Sequence, residues 1–89
     1  MIKSIKEAWR ILNKDSSSAI TWAAEHEKYY EFYIRGKDAP VYAATGLNSF
    51  LINKSDGAIS TQYLDGDYSP LGKKIREYKT EEEIKEIES

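Results

Sequence analysis

The sequence predicts an α+β protein: a small antiparallel sheet of three to four strands, with an N-terminal helix and C-terminal helices packed on one face. Three observations predict it. Residues 4–14 repeat apolar side chains at helical spacing, and residues 29–35 alternate at the two-residue spacing of a strand. Asp56-Gly57 separates two apolar-patterned runs, a strong short-range hairpin signal because glycine tolerates the positive φ of the turn.

The elements follow in chain order. Ile5, Ala8, Trp9 and Leu12 fall at i, i+3, i+4 and i+7, one stripe of a helix over residues 4–14. Ser4 with Glu7 three residues on is the pattern of a capping box, and Lys14 suits the far end of the dipole. A polar break over residues 15–18 ends the helix. Residues 19–35 admit two arrangements. Ile20, Ala23, Ala24, Glu27, Tyr30 and Ile34 can be set on a helix, so residues 19–28 stay open between helix and strand. Residues 29–34, however, are rich in aromatic and branched side chains that suit a pleated surface. The hairpin arrangement puts strands at residues 20–24 and 29–35 with a polar bend at 25–28. Tyr30, Phe32 and Ile34 then share one face, and Tyr29, Glu31, Tyr33 and Arg35 share the other.

Residues 36–40 are expected as loop, 41–44 as a short extended piece or loop, and 45–48 as a turn. Residues 49–53 and 58–63 form the hairpin around Asp56-Gly57. Phe50 and Ile52 share a face, as do Ile59, Thr61 and Tyr63. Residues 64–68 are loop. Ser69 then caps a helix with Pro70 at its first position, where a missing N–H is harmless, and Leu71, Ile75 and Tyr78 line one side. Gly72 weakens that helix by about 1 kcal/mol relative to alanine. Thr80 with Glu83 is a second capping box, and Ile84 and Ile87 give the last helix a narrow apolar edge. Residues 80–89 either pack or form a peripheral tail. The expected core is Ile5, Trp9, Leu12, Tyr30, Phe32, Phe50, Ile52, Ile59, Leu71 and Ile75.

Composition bounds the function. An 89-residue chain fits one domain, and such a domain buries about two-thirds of its unfolded surface. Seven Tyr, two Trp and two Phe offset that modest core, because each ring buries a large area. There is no Cys, so no disulfide or thiolate chemistry is available, which fits a cytoplasmic location. No apolar run approaches the roughly 18 residues of a membrane span, and no signal-peptide pattern is seen. Thirteen basic against fifteen acidic residues leave a net charge of −2, too balanced to imply a nucleic-acid partner.

No motif carries catalytic or cofactor chemistry. His26, the single histidine, lies in Glu25-His26-Glu27; a general base is conceivable there, but a solvated surface histidine is the expectation. Asp65, Asp67 and Ser69 match the first ligands of a calcium loop, yet Pro70 and Arg76 stand where that loop needs glycine and glutamate. The glycines form no phosphate cradle. Lys73, Lys74 and Arg76 make a small basic cluster that pairs with nearby acids or meets an acidic partner. No catalytic residue, cofactor or metal is expected. Tyr29, Glu31, Tyr33 and Arg35 are the candidate partner-binding residues, since outward tyrosines beside arginine suit an interface.

The run Tyr30-Glu31-Phe32-Tyr33, the later stretch from Asn48 through Asn53-Lys54-Ser55-Asp56-Gly57 to Ile59, and the final Ile75-Arg76-Glu77-Tyr78 resemble the immunity protein 35 (YrhB-like) family of small bacterial proteins. The likeness covers roughly residues 20–78. Asn53 stands where that family has an acid, and residues 36–47 have no counterpart. The resemblance implies a small antiparallel sheet packed by helices, and neutralisation of a cognate toxin by occlusion rather than catalysis. The leading expectation is a non-enzymatic protein-binding module with another protein as partner. The alternative is a small homo-oligomeric accessory protein, a homodimer paired through a 19–35 edge or the C-terminal helix. No nucleic acid or membrane is expected as partner.

Overall fold

In a computed structural model of the protein, residues 1–37, 48–63 and 69–89 are described. Their elements run α1 (Ile5–Leu12), β1 (Ser18–His26), β2 (Tyr29–Gly36), β3 (Asn48–Asn53), β4 (Ile59–Tyr63), a single 3-10 turn (Ser69–Leu71), β5 (Lys74–Tyr78) and α2 (Glu81–Glu88). The strands form one antiparallel sheet in the order β4-β3-β2-β1-β5. The sequence-based expectations for residues 38–47 and 64–68, including Asp65 and Asp67, lie outside the described residues.

α1 begins where Ser4 caps it: the Ser4 hydroxyl accepts the Glu7 N–H at 3.2 Å. The Glu7 carboxylate reaches one residue past the expected partner, accepting the Lys3 N–H at 2.9 Å. The helix ends at Asn13, whose side-chain oxygen accepts the Ser18 N–H at 3.0 Å and so starts β1. Residues 19–28, open between helix and strand, are strand as far as His26, and only Glu27 and Lys28 turn the chain into β2.

That turn explains the largest departure from expectation. No helix runs over residues 70–78. The Glu27 and Lys28 N–H groups donate to the Lys73 and Leu71 carbonyls at 2.8 and 2.9 Å, so the chain after Pro70 must come up against the β1–β2 turn. Gly72 sits there at φ +80°, and a Cβ on it would stand 2.6 Å from the Glu27 Cβ. Only glycine fits, and its left-handed backbone stops the helix after one 3-10 turn. Residues 74–78 then satisfy their backbone groups by pairing with the free edge of β1, giving a fifth strand. The helical spacing of Leu71, Ile75 and Tyr78 is a coincidence of composition.

The β3–β4 hairpin forms as its Asp56-Gly57 signal predicts. Gly57 has φ +74°, the Asp56 carboxylate accepts the Ala58 N–H at 2.9 Å, and Asn53 N–H donates to the Ala58 carbonyl at 3.0 Å. The Lys54 backbone ties this hairpin to its surroundings, donating to the Lys28 carbonyl and accepting the Ile2 N–H.

Both helices lie on one face of the sheet. Ile5, Ala8 and Trp9 of α1 and Ile87 of α2 form a single buried apolar cluster with Ile20, Ala23, Tyr30, Phe32 and Ile52. The Trp9 and Phe32 rings are 5.6 Å apart between centroids. α2 is packed: Ile87 is buried, and the Glu88 carboxylate accepts the Ile20 N–H at 2.9 Å. Its start carries the predicted capping box, Thr80 and Glu83 bonding reciprocally. The Thr80 and Lys79 N–H groups and the Thr80 hydroxyl hold the Glu83 carboxyl down at about 2. This lowered value makes the cap fully stabilising above the ordinary carboxylate range, and its contribution is lost as pH falls through about 2.

Two expected core residues are outside. Ile59 is 51% exposed because β4 is an outer strand, and Ile75 is 59% exposed because it is the unpaired residue where the β1–β5 register shifts. Leu12 and Phe50 are half-buried, and Leu71 is buried outside the main cluster. No described helix is long and apolar enough to cross a membrane.

Candidate binding face

Strand alternation alone would place Ile20 and Trp22 on one face. A bulge prevents it: Ile20 pairs with Ile34, Trp22 pairs with Tyr33, and Thr21 is the extra residue. The Thr21 hydroxyl donates to the Tyr33 carbonyl at 3.0 Å across that irregularity. Ile20 therefore enters the helix-side core, and Trp22 is carried to the opposite face with Ala24 and His26. β2 contributes Tyr29, Glu31, Tyr33 and Arg35 to that face, as its alternation predicts, and β3 contributes Ser49 and Leu51.

The four predicted contact residues share a face but not a site. Glu31 is not outward in solvent; it is 1% exposed. One of its oxygens lies 2.7 Å from His26 Nε2, and the other accepts the Ser49 hydroxyl at 2.6 Å. His26 is likewise not a surface histidine, at 3% exposure, and Ser49 is fully buried. The physical reason is satisfaction: a carboxylate out of water needs donors, and His26 and Ser49 stand on the strands either side of it.

The order of groups differs from that of a catalytic triad. In a nucleophilic triad the histidine stands between the nucleophile and the acid. Here the carboxylate is in the middle, Ser49 bonds to Glu31 rather than to His26, and all three side chains are buried. The arrangement pins β1, β2 and β3 together across the sheet. Among the described residues, no group of three or more His, Asp or Glu is placed to hold a metal ion.

The remaining predicted residues lie at opposite ends of this face. Tyr29, about 13 Å along β2 from Tyr33, lines an open cleft of about 500 Å³ with Lys28, Asn53, Lys54 and Pro70. Tyr33 packs edge-on against Trp22, ring centroids 5.5 Å apart at 64°. Lys74 of β5 approaches the Trp22 ring at 5.7 Å and donates to Glu77 at 2.7 Å. The Tyr33 hydroxyl is buried without a hydrogen-bond partner among the described residues. Arg35 donates to the Gly36 and Lys37 carbonyls, both at 3.1 Å. Of the predicted basic cluster, Lys73 precedes β5, and Lys74 and Arg76 are on it rather than on a helix, with Lys74 bonded to Glu77 and Arg76 near Glu83 at 3.4 Å.

Sequence reasoning missed Trp22; it named Lys74 in the basic cluster, but not its approach to the Trp22 ring. An aromatic next to Thr21 in a strand was the available signal, but only the bulge decides which face it joins. No family model matches the chain, nor does any curated protein or solved structure at a significant level.

Proposed function

We propose that the chain is a non-enzymatic protein-binding module that docks a partner protein through Trp22 and Tyr33 on the sheet face opposite α1 and α2. The observation that carries this is the half-buried Trp22 ring held edge-on by Tyr33 and approached by Lys74. A rigid aromatic pair with a neighbouring cation is the composition of an interface anchor, which contributes large contact area at small entropic cost. The partner chemistry that fits is an apolar pocket for the indole with a carboxylate or carbonyl within reach of Lys74. A toxin neutralised by occlusion is the particular partner that the immunity-type resemblance suggests. The small helix-backed antiparallel sheet supports that reading.

The test is co-expression with the product of the neighbouring reading frame. The wild type is expected to recover a stoichiometric complex and protect growth. Trp22→Ala is expected to lose both while keeping the native circular dichroism spectrum. A complex that survives Trp22→Ala unchanged, or no complex with the wild type, overturns the proposal.

A further inference from the structure

The two outer strands of the sheet meet solvent with different chemistry. An outer strand presents unpaired backbone groups and is ordinarily guarded by charge, by proline or by a bulge. β5 is guarded twice: it carries Lys74, Arg76 and Glu77, and its register shifts at Ile75. β4 reads Ile59-Ser60-Thr61-Gln62-Tyr63 and carries no charge. Residues 58–61 are all exposed.

The register says which backbone groups of β4 point away from β3, its one paired strand among the described residues. The Asn53 N–H bonds to the Ala58 carbonyl, and in an antiparallel ladder bonded and non-bonded pairs alternate. Ser60, opposite Leu51, therefore turns its N–H and C=O toward β3, while Ile59 and Thr61 turn theirs away from the sheet.

We propose that β4 pairs antiparallel with β4 of a second copy of this chain, about a two-fold axis at Ser60. Ile59 of each copy then faces Thr61 of the other and exchanges its outward N–H and C=O with it. Ser60 faces Ser60, and Ala58 faces Gln62. Every side chain brought together is uncharged, and the Ile59–Thr61 pairs are β-branched, a favourable cross-strand match. The exposed Ile59 is covered in the process. β5 has no such solution: self-pairing it opposes Lys74 with Arg76, Arg76 with itself, or Glu77 with itself. A β4-to-β5 contact would be head-to-tail and would not close. The two-fold pairing gives one continuous sheet with α1 and α2 of both copies on the same side. Its contact is small, so the dimer is concentration-dependent.

Sedimentation equilibrium of the full chain from about 10 μM to about 1 mM tests this. The wild-type average mass is expected to rise from 10.2 kDa toward twice that value. Ser60→Lys and Ser60→Glu each place like charges face to face on the axis and are expected to stay at the single-chain mass. Their equimolar mixture is expected to regain the doubled mass. Thr61→Pro, which removes one outward N–H without touching the β3 ladder, gives the same loss through the backbone. A wild type that stays at 10.2 kDa throughout overturns the proposal, as does a Ser60→Lys variant that doubles like the wild type, or open-ended growth. Trp22→Ala is expected to dimerise normally, so this proposal and the partner-binding one fail separately.

Discussion

On the helix side of β2, Tyr30 and Phe32 are buried in one apolar cluster with Trp9, Ala23 and Ile52. On the other side, between them in sequence, Glu31 is buried just as deeply, bonded to His26 and Ser49. The first environment is non-directional: its stabilisation follows the area removed from water, and a neighbour can shift to fill a gap. The second is directional, because each group depends on the position of the next and an unmet donor or acceptor is costly. A central strand covered on both sides can thus carry two unrelated solutions to burial at adjacent residues.

Three substitutions sharpen this contrast, read by urea denaturation. Phe32→Ala is expected to cost the most, about 3–5 kcal/mol, since a fully buried ring is lost beside Trp9. Glu31→Ala is expected to cost about 3 kcal/mol by stranding His26 and Ser49 away from water; a cost under about 1 kcal/mol would mean the polar cluster is wet and would break the comparison. Tyr33→Phe is expected to act in the opposite direction, raising stability by about 1 kcal/mol, because it removes a buried hydroxyl that has no partner among the described residues. A loss of stability in that variant would show that the hydroxyl is satisfied.

Most of the local structure was legible because it depends on neighbours in sequence. The Ser4 and Thr80 caps, the Asp56-Gly57 hairpin and the alternation of β2 each need only a few consecutive residues. What escaped depends on distant ones. Nothing near Thr21 announces that it is the bulge that sends Trp22 across the sheet. Residues 74–78 are a strand because β1 has a free edge and Glu27 crowds Gly72, both about fifty residues away in the sequence. Alternation correctly put Tyr29, Glu31, Tyr33 and Arg35 on one side of β2, but it could not say that this side is covered at Glu31, nor that His26 and Ser49 are its partners.

Tyr30, Glu31 and Phe32 are three consecutive enclosed positions, two needing bulk and one needing an acceptor. A strand with one wet side drifts freely at every second residue. This one has no such freedom over that stretch. A saturation library selected for folded protein should therefore tolerate almost nothing at all three, whereas along Ile59, Ser60 and Thr61 of the outer strand most residues should survive. Variation within this lineage would then accumulate at the rim of the sheet and leave its middle nearly fixed.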